Sequence, residues 1–361
     1  MALTPWEMSS AKMTPTVALG GIFETSHKNP WASANIAYLP YCSSDAWVGD
    51  IGASNFTWGF AFRGQRILAA ALHSLVQTQG LGAKTDSGQQ RLLLSGCSAG
   101  ARGAMMNLDY VEGILEGADI PAGTVEIMGL LDSPLWVNVE PSTPHITPLS
   151  NETRAVYEFV NATARLGPLC EQTFPAVEDR WMCLFGQYRM PMLLTPYLLN
   201  AAQFDKFELP YYIGGTTPAG YNVAQWHPAQ AEYAASFGPA VLQIVNELPT
   251  AAQSKSGVFS TACFRHCVTD SAAFWNVAVV SPGEHGRMTA TSLRDAAQLW
   301  YFGRAPKPYR VVQDCVGFRC GNCSTKVLKQ LKKSGQLDFT FVGIPKCASR
   351  HALRGARSVA R

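Results

Sequence analysis

The residues Arg91-Leu-Leu-Leu-Ser-Gly-Cys-Ser-Ala-Gly100 join a short apolar run to a serine flanked by glycines. The run at 91–95 predicts a buried strand, and the pattern of residues 99–115 predicts a helix directly after it. A Gly-x-Ser-x-Gly motif between a strand and a helix is typical of a nucleophile elbow, with Ser98 presented above the edge of a sheet. The stretch therefore predicts an α/β fold with a serine nucleophile.

The spacing of the two glycines has a steric cause. Ser98 on so sharp a turn needs a strained backbone, and side chains at positions 96 and 100 would collide, so we expect glycine to be required at both. The backbone N–H of Ala99 opens the following helix and can face a developing oxyanion. Because the bare motif also occurs in ordinary loops, the interpretation depends on the strand and helix around it.

Further apolar runs bounded by turn residues predict more buried strands, and helical patterns lie between them, one of them at residues 62–75. This alternation predicts an α/β-hydrolase-like three-layer sandwich with a mostly parallel central sheet. We assign residues 1–312 to this domain and residues 313–361 to a cysteine-containing basic tail. The predicted strands are residues 35–41, 91–95, 125–131 and 192–199.

Charge and hydropathy exclude several classes of partner. The 361 residues are 47% hydrophobic with a net charge of only +3, which gives no indication of nucleic acid binding. Residues 313–361 hold ten Lys or Arg against two Asp. Such a tail either contacts an acidic polysaccharide or is solvated and partly disordered, and the second interpretation is favoured. No stretch is long and apolar enough to predict a membrane span.

Ten cysteines are many for a cytosolic chain. Zinc is one explanation, because Cys320-x-x-Cys323 has ligand spacing, but no second Cys or His pair at finger-like spacing accompanies it. Disulfides are favoured, and the sequons for N-glycosylation agree with them, so we expect a secreted or cell-wall glycoprotein. Residues 1–20 lack the pattern of a signal peptide. The sequons are at Asn55, Asn151, Asn161 and Asn322.

A serine nucleophile needs a histidine base. His266 is the strongest candidate, because the neighbouring Cys263 and Cys267 can anchor the loop that carries it. A surface histidine between disulfide cysteines is the alternative interpretation. His227, in Gln-Trp-His-Pro, is typical of a helix start. The remaining histidines after the serine are His145, His285 and His351.

An acid must orient that base, in the chain order serine, acid, histidine. Asp205 follows the predicted strand at 192–199, and catalytic acids of such folds lie beyond strand ends. Asp132 also follows a predicted strand. The residues alone leave both acids open.

Several segments, taken together, form an ordered pattern: Asn29-Pro-Trp31, Asn35-Ile-Ala-Tyr-Leu-Pro-Tyr-Cys-Ser-Ser-Asp-Ala-Trp47, the elbow, Leu131-Asp-Ser133, Trp181-Met-Cys-Leu-Phe-Gly186, Gln203-Phe-Asp205 and Cys263-Phe-Arg-His-Cys267. This pattern resembles the family that joins pectin acetylesterases with Notum. The resemblance implies a serine-esterase mechanism without metal or cofactor, with Ser98 as nucleophile, His266 as base and Asp205 as acid. It also implies that Cys170 and Cys183 form a disulfide.

The resemblance implies removal of acetyl or longer acyl groups from extracellular polysaccharide. The alternative is a Notum-like protein O-deacylase, so the expected partner is an acylated polysaccharide or a lipidated protein, and we expect a monomer. A fatty-acyl group would need a deep apolar pocket. The aromatic residues that can line such a pocket, or that belong to the core, are Trp136, Phe185, Phe204 and Phe207.

One expected segment is absent from this sequence. The family carries a Gly-Gly-Trp-Tyr-Cys or Gly-Gly-Gly-Trp-Cys segment upstream, which supplies a second oxyanion donor, whereas Gly20-Gly21 precedes Ile-Phe-Glu. We therefore expect a truncated N-terminus, with Ala99 as the assigned donor and weak activity as written unless another backbone N–H, such as one after Tyr41, completes the site. A non-catalytic binding relative is the alternative.

Overall fold

A computed structural model describes residues 16–86, 88–214, 222–248, 255–282, 288–303 and 309–315, and then residues 317, 318, 320, 321, 323, 333 and 337–339. Its strands are β1 (Gln90–Cys97), β2 (Val125–Asp132), β3 (Tyr197–Asp205), β4 (Gly257–Arg265), β5 (Ala278–Pro282), β6 (Met288–Ser292), β7 (Tyr309–Val312) and β8 (Leu337–Phe339). Its helices are α1 (Gly64–Gln79), α2 (Ala99–Asn107), α3 (Val111–Glu116), α4 (Leu149–Val160), α5 (Pro168–Thr173), α6 (Gly186–Arg189), α7 (Glu208–Gly214), α8 (Pro228–Glu247), α9 (Ala273–Asn276) and α10 (Leu293–Tyr301).

The central sheet has the strand order β1-β2-β3-β4-β7, and all of its neighbouring strands pair in parallel. Parallel neighbours need crossover connections, which the helices between the strands supply. The carboxyl ends of these strands therefore share one edge of the sheet, where Cys97, Asp132, Asp205 and Arg265 end their strands. The predicted parallel sheet is confirmed.

Alternate residues of the central strands face two different cores. In β3, Leu199 and Ala201 pack in a core that also holds residues of α2, α4 and α8. Leu198 of the same strand packs in a second core with residues of α9 and α10. Because successive side chains of a strand point to opposite faces, both faces of the sheet are covered. This arrangement confirms the three-layer sandwich.

Some predicted elements differ from the structure. Residues 35–41 form no strand, and Ile36 and Tyr38 are 50% and 40% exposed, so their side chains lack the burial that would stabilise a central strand. Pro40 also lacks an N–H for a sheet ladder. The strand predicted at 192–199 begins only at Tyr197 and continues to Asp205, which is thus its last residue. The helix predicted at 99–115 is broken by a 3-10 turn, Leu108–Tyr110.

The first part of the basic tail is covalently joined to the sheet domain. Cys323 forms a disulfide with Cys263 of β4, and Cys315 forms one with Cys320. Both cysteines of the zinc-like motif are thus in disulfides and offer no thiolate for a metal. The sequon residue Asn322 and most of the tail beyond residue 323 lie outside the described residues, and the boundary at residue 312 stays a prediction.

The disulfide implied by the resemblance, Cys170 to Cys183, is confirmed and joins α5 to the 3-10 segment Val177–Leu184. Outside the main sheet, β5 and β6 form an antiparallel pair, with β8 parallel to β6. In the parts of the chain that the structure describes, no helix has the length and hydropathy to cross a membrane.

Candidate active site

Ser98 lies on the turn between β1 and α2, with φ 54° and ψ −120°. A non-glycine residue with positive φ is strained, and such strain persists only where the surroundings hold it. Here the Ser98 N–H donates to the Asp132 carbonyl at 2.9 Å, and the Ser98 carbonyl accepts from the Arg102 N–H at 2.9 Å. These bonds tie the turn to the end of β2 and to the first turn of α2. The strand, turn and helix expected around Ser98 are all present.

The two glycines of the motif are not equivalent. A Cβ on Gly96 would lie 2.3 Å from the carbonyl carbon of Gly100, so a side chain there would break the turn. A Cβ on Gly100 would meet no atom within 4 Å among the described residues. The expectation that glycine is sterically required at both positions is therefore correct for Gly96 and wrong for Gly100. The cause is that a Cβ at position 96 would point across the turn toward Gly100, whereas a Cβ at position 100 would not point toward Gly96.

His266 follows β4 and contacts the acid at the end of β3. Its Nδ1 lies 2.8 Å from Asp205 Oδ2, and both side chains are largely buried. The other oxygen, Asp205 Oδ1, accepts from the N–H groups of Phe207 at 2.8 Å and Glu208 at 3.0 Å. These two bonds fix the carboxylate at the start of α7. With Nδ1–H facing Asp205, Nε2 is left to accept a proton.

The surroundings of His266 set its basicity. Burial lowers the pKa of the imidazole, whereas the hydrogen bond and charge of Asp205, and more weakly the charge of Asp132, raise it. The net direction is a raised pKa. Glu208, beside Asp205, has a pKa well above its usual value because it is buried and lies near that carboxylate.

Asp132 is a buried anchor whose hydrogen bonds go to the residues around His266 rather than to its imidazole. Its Oδ2 accepts from the Val268 N–H at 2.7 Å, the Thr269 N–H at 2.8 Å and the Thr269 hydroxyl at 2.7 Å. Its Oδ1 accepts from the Asn200 amide at 2.6 Å. The donors on Oδ2 belong to the loop that directly follows His266. Asp132 thus positions that loop, while Asp205 contacts the imidazole.

A disulfide joins Cys97, the residue before Ser98, to Cys267, the residue after His266. Both Sγ atoms and one ring nitrogen of His266 lie within 4.8 Å of one another. Since Ser98 and His266 follow β1 and β4, which are not neighbours in the sheet, this bond joins their loops covalently. Sequence reasoning missed the pairing, although each cysteine directly adjoins a candidate site residue.

We expect the double variant Cys97→Ala/Cys267→Ala to lose both stability and turnover. The disulfide spans 170 residues, and the chain-entropy relation gives about 5 kcal/mol for a loop of this size. Freeing the His266 loop should lower kcat by about ten- to a hundredfold, because small misplacements of catalytic groups are costly. Urea unfolding and ester hydrolysis of the folded protein measure the two effects.

The matched control is Cys315→Ala/Cys320→Ala, which removes a disulfide between residues five positions apart. It should leave kcat close to that of the unmodified protein. Equal kcat values for the two double variants would show that the Cys97–Cys267 bond does not position the histidine.

A stack of side chains bounds the site beside His266. The Phe207 ring lies 5.6 Å from the imidazole and 5.8 Å from the Trp136 ring, with which it is stacked. The Arg102 guanidinium lies 3.7 Å from the centroid of the same tryptophan. Burial lowers the pKa of the Arg102 guanidinium to about 10. Sequence reasoning missed Arg102, one helical turn after Ser98.

The loop after Tyr41 packs against the helix that begins at Ala99. Buried Asp45 accepts from the N–H groups of Trp47 at 2.9 Å and Gly64 at 2.7 Å. The Trp47 side chain lies so close to Gly103 of α2 that a Cβ there would be 2.5 Å from it. The Asn107 side chain of α2 also donates to the Trp47 carbonyl, at 2.9 Å, so a buried hydrogen bond and the small Gly103 hold this turn beside α2.

The remaining candidates lie apart from this arrangement. His145 and His227 are exposed, and His227 caps the start of α8 together with Gln230, as its sequence predicted. His285 and His351 lie outside the described residues. Ala99 is the first residue of α2, where a backbone N–H has no partner within the helix. The geometry thus offers Ala99 as a donor beside Ser98.

The parallel sheet, the strained serine turn after β1 and the histidine after β4 define the α/β-hydrolase class of folds. Within that class, a family model described as pectinacetylesterase matches residues 4–324. The chain belongs to the pectinacetylesterase family.

Similar proteins fall into two groups by name. Palmitoleoyl-protein carboxylesterase notum1' of Xenopus laevis is 33% identical over 210 residues, 56% of this chain and 41% of that protein. Pectin acetylesterase 11 of Arabidopsis thaliana is 25% identical over 289 residues, 78% of this chain and 67% of that protein. The solved Wnt deacylase Notum of Drosophila has a TM-score of 0.72 at 24% identity, with 88% and 83% of the two chains covered. The chain spans about two fifths of the length of the Notum relative from Xenopus.

Proposed function

We propose that this protein is a serine carboxylic-ester hydrolase. The observation that carries the proposal is the 2.8 Å contact between His266 Nδ1 and Asp205 Oδ2, on a loop joined through Cys267 to the residue before Ser98. A serine at a strained turn, a histidine whose Nε2 has no hydrogen bond within the described residues, and a buried carboxylate behind it are the parts that acyl transfer needs.

In the proposed mechanism, His266 Nε2 takes the proton of the Ser98 hydroxyl as Oγ attacks the ester carbonyl. The Ala99 N–H stabilises the negative oxygen of the tetrahedral intermediate. The intermediate collapses to an acyl-enzyme when the alcohol leaves with the proton from His266. Water, deprotonated by the same nitrogen, then releases the acid and restores Ser98. Asp205 balances the imidazolium charge in both steps.

The acyl group in this proposal is short. Of the aromatic residues that could have lined a deep pocket, Phe185 and Phe204 are 0% and 1% exposed and belong to the core. Phe207 and Trp136 stack on each other, with their ring centroids 5.8 Å apart. A charged guanidinium covers the tryptophan, and a long hydrocarbon chain gains little beside such a group. An acetyl group therefore fits beside the stacked Trp136 and Phe207 rings better than a fatty-acyl group does.

We propose acetylated extracellular polysaccharide as the natural substrate class. The disulfides of the chain fit an oxidising compartment, which supports secretion. Relatives named for palmitoleoyl-protein make a protein O-deacylase the second candidate. The similarity of these relatives to the chain is the observation that supports the protein O-deacylase. The length of the acyl chain that the site accepts distinguishes this candidate from the polysaccharide esterase.

We expect the purified protein to prefer p-nitrophenyl acetate to the octanoate and palmitate esters by at least about a hundredfold in kcat/KM, because even one methylene that a pocket cannot accommodate costs about 1–3 kcal/mol. It should also release acetate from acetylated pectin. A preference for the palmitate ester would support the protein deacylase, and no turnover of any ester would support a non-catalytic binding protein.

The position of Phe207 beside His266 predicts that its removal changes the acyl-chain specificity. Phe207→Ala should raise the octanoate-to-acetate ratio of kcat/KM by at least about tenfold, because it opens space beside His266. The matched control is Phe302→Ala, a partly exposed ring at the end of α10, which should leave the ratio unchanged. An unchanged ratio in Phe207→Ala would place the acyl group elsewhere.

A further inference from the structure

An exposed aromatic cluster lies on the turn before α1. Phe56 is 61% exposed and Trp58 is 74% exposed, and both rings pack on Phe159 of α4, at centroid distances of 5.1 and 5.3 Å. Phe62 contacts the same Phe159 ring from its buried side at 5.1 Å. We call Phe56, Trp58 and Phe159 the aromatic cluster.

The backbone holds the cluster outward. Trp58 has φ 51°, which is strained for a bulky side chain. The turn around it is nevertheless well bonded, since the Gly59 N–H donates to the Ser54 carbonyl at 2.8 Å and the buried Thr57 hydroxyl contacts Ser54 and Gly52. Exposing large aromatic rings to water is unfavourable in free energy. A group of neighbouring exposed rings therefore marks a surface that another group binds and covers.

A sequon begins two residues after Phe159, at Asn161-Ala-Thr163. Helix α4 ends at Val160, and Asn161 adopts a left-handed turn with φ 54° and ψ 60°. Val160 and Ala162 are 2% and 0% exposed, whereas Asn161 and Thr163 are exposed. The acceptor amide is thus presented at the surface, on the same helix end that carries Phe159.

The segment that leads to the aromatic turn is bonded to this helix end. The Asp50 N–H donates to the Val160 carbonyl at 2.9 Å. The sequon and the cluster are therefore held in one piece of structure, although they are about a hundred residues apart in the chain. A second sequon, at Asn55, is exposed on the aromatic turn itself.

We propose that an N-linked glycan on Asn161 covers the aromatic cluster, with its first N-acetylglucosamine packed on Phe159 and Trp58. The apolar C–H face of a pyranose ring can lie flat on an aromatic ring, because both surfaces are apolar. In the modification, Asn161 Nδ2 loses a proton and replaces the diphosphate at the anomeric carbon of a polyprenyl-diphosphate oligosaccharide. The inference uses secretion but not the esterase mechanism.

Asn151 provides a matched comparison. It also begins a sequon and lies in the first turn of the same helix, α4, exposed to solvent. Among the described residues, no aromatic ring pair lies beside Asn151 in the first turn of α4. Phe159, two residues before Asn161, packs on three other rings.

The test uses the full chain secreted from a eukaryotic host. Glycopeptide mass spectrometry should find Asn161 occupied, and trimming to a single N-acetylglucosamine should leave Tm unchanged. Asn161→Gln should lower Tm by about 2–4 °C, as for the loss of one favourable contact, and raise the fluorescence of a hydrophobic dye. Asn151→Gln should change neither.

The effect should depend on Trp58. In a Trp58→Ser background, Asn161→Gln should lower Tm by clearly less, because one of the two rings that the sugar covers is gone, and what remains is the contact with Phe159 and the strain of Gln at the left-handed turn. An unmodified Asn161 would overturn the proposal, as would equal Tm losses in the Asn161 and Asn151 variants. Independent effects of the Trp58 and Asn161 substitutions would overturn it as well.

Discussion

Ser98→Ala is expected to lower turnover of p-nitrophenyl acetate by about 10⁴- to 10⁶-fold, because no other group would then form the acyl-enzyme. The fold should be retained, since Ser98 is only partly buried and its hydroxyl group makes no hydrogen bond within the described part of the chain. A fluorophosphonate probe should label the unmodified protein at Ser98 and leave the variant unlabelled. Thermal unfolding of both proteins gives the check on folding.

Ser95→Ala is the matched control, because Ser95 lies on β1, which ends directly before Ser98, and its hydroxyl donates to the Leu130 carbonyl, at 2.8 Å. It should retain activity within a few-fold of the unmodified protein and remain labelled by the probe. Near-normal turnover of Ser98→Ala, or probe label on a different serine, would remove Ser98 from the mechanism.

Asp205→Asn is expected to reduce kcat by about 10⁴-fold, because an amide favours the wrong imidazole tautomer and cannot balance the imidazolium charge. Asp205 also helps to raise the pKa of His266, so its loss lowers that pKa. The base acts when neutral, and the acid limb of the kcat/KM profile should therefore move to lower pH. The oxygen that the amide retains can still accept from the Phe207 and Glu208 N–H groups, so stability should change little.

Asp132→Asn separates positioning from catalysis. The amide would put an N–H₂ group where the carboxylate accepts from Val268 and Thr269, so the main expected effect is a lower free energy of unfolding. Activity should fall through the displaced His266 loop, and by less than in Asp205→Asn. A larger loss of kcat in Asp132→Asn at unchanged stability would reverse the roles assigned to the two acids.

Local features of this protein could be predicted from the residues because their causes are local. The strand at 91–95 and the helix start at Ala99 follow from hydropathy over a few residues, and Gly96 follows from a clash within one turn. The capping role of His227 is equally local. The parallel sheet followed from the alternation of such segments along the chain.

Other features depend on contacts between distant parts of the chain, and their free energies come from packing rather than from local preference. Asp132 and Asp205 both end buried strands, and only the folded chain shows which oxygen faces His266 and which accepts from the loop behind it. The Cys97–Cys267 bond joins residues 170 positions apart, a pairing that loop closure alone does not select. Residues 35–41 have the apolar pattern of a strand but no partner strand among the described residues, so that pattern could not decide their structure.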